Sequence, residues 1–144
     1  MPIKRFKPLL DKVFWIILIP TLMLLAAATV ISCYAPVALF IIIPVDVLSV
    51  YFLFTPLFGY VELREDTVFV KLGLIMEREI PYTKIRAVEK ERKLYSDSLV
   101  SLKCAMEHVN IRYNRFDVLS VSVQDNDALI VGINDRMNSG APKT

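Results

Sequence analysis

Between Val13 and Tyr60 the chain runs for 48 residues with a single side chain that is ordinarily charged at neutral pH, Asp46. A stretch so poor in charge must lie in lipid or inside protein. Composition separates at the same place. Residues 1–60 hold 42 of the 79 apolar residues of the 144-residue chain, and the remaining 84 hold 37, the share of an ordinary globular domain. The second part carries 13 Lys/Arg against 13 Asp/Glu, so the net charge of +2 comes entirely from the first 60 residues. There Lys4, Arg5, Lys7 and Lys12 outweigh Asp11 and Asp46. A purely soluble protein, a basic nucleic-acid-binding domain and a disulfide-stapled secreted scaffold are all poor fits to this distribution.

Two spans are expected in the uncharged stretch. Val13 to Ile31 would make a helix of about 28 Å and Val37 to Phe54 one of about 27 Å, each just long enough for a hydrocarbon core roughly 30 Å thick. Residues 32–36 between them allow only a tight antiparallel connection, so 13–56 reads as a transmembrane hairpin. Pro20 and Pro44 fall inside the spans, where lipid tolerates them as mild kinks. Four basic residues precede the first span and the connector has none. The positive-inside rule therefore places the N-terminus in the cytoplasm, with Lys4, Arg5, Lys7 and Lys12 setting the topology. After two crossings, the rest of the chain is expected on the same side of an inner membrane. Trp15, Tyr34, Tyr51 and Tyr60 suit the interfaces. A competing reading takes Val30-Ile31-Ser32-Cys33 as a lipobox, with Cys33 lipidated and the domain periplasmic. The long apolar segment before it and the second apolar segment after it argue against this.

Beyond the spans the pattern changes to the two-residue alternation of half-buried strands. Val61 and Leu63 alternate with Glu62 and Arg64, Glu65-Asp66 forms a turn, and Val68, Val70 and Leu72 follow. Gly73 interrupts before an expected third strand, Leu74 to Ile80, which Pro81 ends. A fourth is expected over Ile85 to Val88. After the Ser96-Asp97-Ser98 loop come Val109 to Tyr113 and Leu119 to Val123, joined at Asn114 to Asp117. Asp125, Asn126 and Asp127 offer caps for a helix over 128–133, although Ala128 to Val131 also fits a strand. The polar, Gly- and Pro-containing residues 134–144 are expected to form a flexible tail.

The order of these elements resembles the bacterial pleckstrin-homology-like membrane proteins, particularly the YyaB-like group. The resemblance is carried by Tyr60-Val61-Glu62-Leu63, by Val68 to Ile75 as strand, glycine, strand, and by the link Ile80-Pro81-Tyr82-Thr83-Lys84-Ile85. Val109 to Asn114 followed by Val121-Ser122-Val123 resembles the closing hairpin. Gln124 departs from the proline that often opens the last helix of such proteins. The resemblance implies an α+β membrane protein: a two-helix hairpin, then over residues 57–133 a small antiparallel sandwich or partial barrel with a C-terminal helix. It implies a binding module with no reaction and no cofactor.

Few residues suggest chemistry. Asp46 lies near mid-bilayer, where an ionised carboxylate costs roughly 2.5–3.5 kcal/mol on insertion scales, so it should face protein or carry a proton. Counting back equally from the connector reaches Thr21, the expected hydrogen-bond partner. A proton or ion site in a small transporter or channel component is one reading; a carboxyl that fixes helix packing is the plainer one, because a lone carboxylate without an intramembrane base is a poor relay. Cys104 and His108, four apart, cannot complete a zinc site with no other histidine. They read better as a small buried thiol and a surface imidazole. Glu77 and Glu79 beside Arg78 read as a solvated edge. No phosphate-binding loop, nucleophile elbow or paired-histidine metal motif occurs, and no enzyme is expected. Lys84, Arg86, Lys90, Arg92 and Lys93, interleaved with Glu89 and Glu91, could touch lipid headgroups or a partner, or simply form a mixed-charge strand edge. The first hairpin turn, Arg64-Glu65-Asp66-Thr67, is mostly acidic, which argues against phosphoinositide. The expected partners are the bilayer and either another protein or a second copy of the chain.

Overall fold

A computed structural model describes residues 2–93, 102 and 105–140. Two apolar helices are followed by two antiparallel sheets and a closing helix. Helix α1, Lys12–Ser32, begins where Asp11 accepts the Lys12 N–H, and α2, Pro36–Phe54, begins on a proline whose fixed φ and missing N–H suit the first helical position. Both are long and apolar enough to cross a membrane. They touch along one seam and leave the rest of their surface bare: Ile16, Leu24, Phe40 and Val47 are all more than half exposed. A helix that is apolar all round and yet uncovered by protein has the surface of a lipid-facing segment.

The first sheet has the order β1-β2-β3-β4, with β1 Lys4–Phe6, β2 Tyr60–Leu63, β3 Thr67–Leu72 and β4 Met76–Pro81. The second has the order β5-β6-β7, with β5 Ile85–Arg92, β6 Glu107–Tyr113 and β7 Asp117–Val121. Inward residues of both sheets, among them Val61, Leu63, Val70, Ile80, Val109, Ile111 and Leu119, build one core with Leu129 and Ile133 of helix α3, Asn126–Gly140. The helix packs on β5 and on the Tyr82–Lys84 turn. Asp125 caps it by accepting the Ala128 N–H at 2.9 Å, and Asn126 turns back to accept the Val123 N–H at 3.0 Å. The 128–133 segment is thus helical.

Two local expectations are corrected, and two features that the sequence pattern does not announce are added. The expected third strand starts at Met76 and not at Leu74: Gly73 sits at φ +81°, a conformation that side chains with a Cβ rarely adopt, so residues 73–75 form the hairpin turn. The basic N-terminus contains a strand, because Lys4, Arg5 and Phe6 pair with Leu63, Glu62 and Val61. The helix continues through residues 134–140, which composition reads as tail; Met137 packs on the core, and Arg136 is buried and hydrogen-bonded at both terminal nitrogens. Finally, Asn110, Ser120 and Ser122, polar and alternating, are buried. Ser120 donates to Asn110 at 2.6 Å across the strands, while Leu102 bonds along β7 through the Ser120 carbonyl and the Ser122 N–H. Short polar groups that satisfy one another do not need solvent.

The helices and sheets meet at one end of the molecule. Phe6 of β1 pairs with Val61, and six residues later α1 begins; α2 ends through a 3-10 turn, Thr55–Phe58, directly into β2. The stretch between β1 and α1 also reaches the second sheet, where the Leu9 N–H donates to the Ser122 carbonyl at 3.0 Å and the Gln124 N–H to the Lys7 carbonyl at 3.1 Å. Both outer ends of the helix pair are therefore held by the same folded domain.

Candidate functional site

Asp46 and its partner lie within the helix pair. Asp46 is partly buried and accepts a hydrogen bond from the Thr29 hydroxyl; the same hydroxyl lies 2.9 Å from the Leu25 carbonyl. Thr21 is not the partner. Its hydroxyl is spent on the Ile17 carbonyl at 2.6 Å. Mirror counting assumes two straight helices in equal register, and the observed bond lies eight residues nearer the connector, about 12 Å along the axis at 1.5 Å per residue. The arrangement binds one helix to the other and presents no second titratable group.

The five basic residues of the charged strand do not form one patch. Lys84 lies in the turn beside Asn114, whose N–H donates to its carbonyl at 3.0 Å, whereas Arg92 pairs with Glu107 at the other end of the strand, and the Lys93 N–H reaches the Met106 carbonyl. Nine residues of extended chain separate Lys84 and Lys93 by about 30 Å. Between them Lys90 is held by Asp127 of α3 at 3.0 Å, which raises its pKa, and it also faces Glu107 at 3.9 Å. Arg112 bridges to Glu89 at 3.2 Å, and Lys93 to Glu91 at 2.8 Å. The strand is a mixed-charge face. Lys84 and Arg86 are exposed at the end of β5 far from α1 and α2, and Arg92 is exposed at the near end.

A charge cluster unannounced by spacing forms on the first sheet. Glu62 is 7% exposed, although it occupies the outward alternation of β2. Arg5 covers it, with Nη2 2.9 Å and Nε 3.1 Å from Oε2, and Arg64 donates to Oε1 at 3.2 Å. The Arg5 hydrogen bonds hold the Glu62 carboxyl below its ordinary range; burial opposes them and Arg64 adds to them. Arg64 continues to Glu79 at 3.2 Å, and Thr67 donates to the same Glu79 oxygen at 2.7 Å. The two guanidinium groups also lie over aromatic rings, Arg5 4.3 Å from the Tyr60 centroid and Arg64 4.1 Å from that of Phe69. Each charge here has an opposite neighbour, so the cluster joins strands and offers no net field to a ligand. Tyr82, buried beneath the same hairpin, donates to the Arg64 carbonyl at 3.1 Å, and burial pushes its pKa up to about 12.

His108 is fully buried in β6, not on the surface, with Nδ1 3.1 Å from the Met106 carbonyl. The paired residue Cys104 lies outside the described residues, as does the Ser96–Ser98 loop. Among the described residues no three His, Cys, Asp or Glu side chains converge as metal ligands do. An open cleft of about 380 Å³ separates the start of β1 from α3, lined by Pro2, Lys4, Val131, Gly132, Asp135 and Arg136. Lys4 and Asp135 give it mixed sign, and Arg136 has its Nη groups turned to the Gly132 and Pro2 carbonyls.

The domain pairs its charges internally, and the helix pair outside it leaves an apolar surface uncovered. Neither the curated proteins nor the solved structures compared with this chain contain a match. The family model of the bacterial PH domain matches residues 59–137, from the glycine before β2 to Met137 of α3, and the chain belongs to that family.

Proposed function

We propose that this protein is a membrane-anchored bacterial PH module that binds another protein or a second copy of itself and catalyses no reaction of its own. PH domains are in general interaction modules for proteins or lipids. The observation that carries the anchored reading is the attachment of β1: the residues before α1 and after α2 belong to one sheet, so the helix pair leaves and re-enters the same domain. A hairpin that crosses a bilayer twice brings its two ends to the same side, which is what pairing of β1 with β2 requires. With the basic N-terminal segment on the cytoplasmic side, the domain and both termini lie in the cytoplasm. The lipoprotein reading fits poorly, since cleavage before Cys33 would remove β1 and leave buried Glu62 without Arg5.

Asp46, held by Thr29 inside the pair, acts in this reading as a packing residue rather than a relay. The basic residues along β5 are scattered, with Lys90 and Lys93 paired to acidic neighbours and Glu89 and Glu91 interleaved among them, which favours a protein contact over a phosphoinositide site. Protease digestion of inverted and right-side-out vesicles tests the topology: cleavage of the domain only in inverted vesicles is expected, and cleavage only in right-side-out vesicles would overturn it. Crosslinking in intact cells followed by detergent pull-down tests the interaction, and recovery of monomer alone would count against it.

A further inference from the structure

The turn of the β3–β4 hairpin exposes three consecutive large apolar side chains, Leu74 at 58%, Ile75 at 79% and Met76 at 49%. A hairpin tip facing water ordinarily carries small or polar residues. The tip here is placed by pairings on both sides. Tyr60 opposite Lys71 and Leu72 opposite Met76 put it at the end of the sheet where β2 emerges from α2, not at the Thr67–Pro81 end. Its backbone rests on the helix exit: a Cβ on Gly73 would come within 2.5 Å of Thr55 Cγ2. Thr55 is itself tied back to the Tyr51 carbonyl at 2.8 Å, and the adjoining 3-10 turn adds exposed Phe58. Along the chain no charged residue lies between Asp46 and Glu62, so the end of α2, exposed Phe58 and the hairpin tip bring apolar side chains to the same end of the sheet. Directly beyond Met76, β4 turns polar with Glu77, Arg78 and Glu79, all exposed.

We infer that the Leu74-Ile75-Met76 tip is a third membrane contact, inserted into the interfacial layer of the bilayer beside the exit of α2, with Glu77 and Arg78 at headgroup level. This rests on the helix pair being in lipid. Two helices alone leave the domain free to tilt about their ends, and a third apolar point fixes which face it turns toward the cytoplasm. The three residues belong to one tight turn next to a helix that already sits in the membrane, so the occupant that reaches them without further assembly is lipid. The same geometry puts Phe116, 83% exposed in the β6–β7 turn, at the far end beside Lys84. It serves as an internal control.

The test uses the full-length protein with Cys33→Ser and Cys104→Ser, reconstituted in liposomes of bacterial phospholipids. Single cysteines at Ile75, Phe116 and Val47 would each carry an environment-sensitive fluorophore. The expected result is a blue-shifted label at Ile75, quenched several-fold more by headgroup-proximal doxyl lipid than the label at Phe116 and protected from aqueous iodide. Iodide quenching at Ile75 equal to that at Phe116 would overturn the inference. So would a label at Ile75 shielded from iodide yet indifferent to doxyl lipid, since protein would then cover the tip. Val47, bare on α2, distinguishes the two levels of failure: if it is quenched by deep doxyl lipid while Ile75 is not, only the tip contact fails, and if neither is quenched the membrane reading itself falls.

Discussion

Arg5 lays its guanidinium across Glu62 with Nη2 2.9 Å from Oε2, joining the segment before the first helix to the first strand after the second. Fifty-six residues and both apolar helices lie between them in the chain. Glu62 is buried under this contact, so the ion pair is worth more than an exposed one, while Arg5 itself is 61% exposed and Arg64 remains as a second donor. Arg5→Ala is expected to destabilise the domain by about 1.5 kcal/mol, the scale of a hydrogen bond to a charged group. Thermal unfolding of the detergent-solubilised protein measures it.

The same contact sets a pH dependence. Arg5 lowers the Glu62 pKa from the ordinary 4.5, so the folded protein binds this proton less readily than the unfolded chain. The stabilisation is then fully present above about pH 4.5 and is lost as pH falls through the lower folded value. The unfolding midpoint of the wild type is expected to drop in that window, and Glu62→Gln should flatten the drop. An equally steep acid limb in Glu62→Gln would assign the dependence to other carboxylates.

Much of this fold is legible from period alone. Two apolar helices, the Glu65-Asp66 turn, the β6–β7 hairpin and the cap residues of the final helix all follow from local rules, and the order of strands points to the bacterial PH fold. What local rules miss are the places where distant chain meets. Lys4-Arg5-Phe6 reads as a topology signal because nothing in three residues announces a strand whose partner lies beyond both helices. Glu62 reads as outward because alternation cannot foresee the guanidinium that covers it. Thr29 is overlooked because counting from a connector assumes straight helices in even register.

Within the helix pair, Thr29→Val removes the Asp46 hydrogen bond with little change in shape, whereas Thr21→Val removes only a bond to its own helix. Side-chain hydrogen bonds between membrane helices average well under 2 kcal/mol, so a loss of about 1 kcal/mol is expected for Thr29→Val and less for Thr21→Val. Denaturant titration in mixed micelles checks the ranking. An effect of Thr21→Val larger than that of Thr29→Val would contradict the observed pairing.

At the hairpin turn, Gly73→Ala is expected to cost about 1–2 kcal/mol for the left-handed backbone alone. Overlap with Thr55 Cγ2 adds to that. In a Thr55→Ala background the 2.5 Å overlap is removed, leaving the backbone cost and a tight 3.2 Å approach to the Cβ of residue 55. A double-mutant cycle therefore reports whether the tip rests on the helix exit: the cost of Gly73→Ala should shrink in the second background, and an unchanged cost would mean that the two residues do not touch.

The end of α3 supplies the last expectation. Arg136 is 7% exposed and donates from Nη2 to the Pro2 carbonyl at 2.8 Å and from Nη1 to the Gly132 carbonyl at 3.3 Å. Met137 beside it packs on the core. Ending the chain after Asn134 removes both, and the cost should be about 2–3 kcal/mol, the scale of a buried side chain lost together with a hydrogen bond to a charged group. Arg136→Ala alone should account for about half of it, and Ile133→Ala, which opens a cavity in the core proper, should cost about 2–5 kcal/mol. Because Arg136 acts on Pro2, its effect should shrink once residues 2–5 are deleted. Full additivity of the two changes would show that the helix and the first strand are stabilised independently.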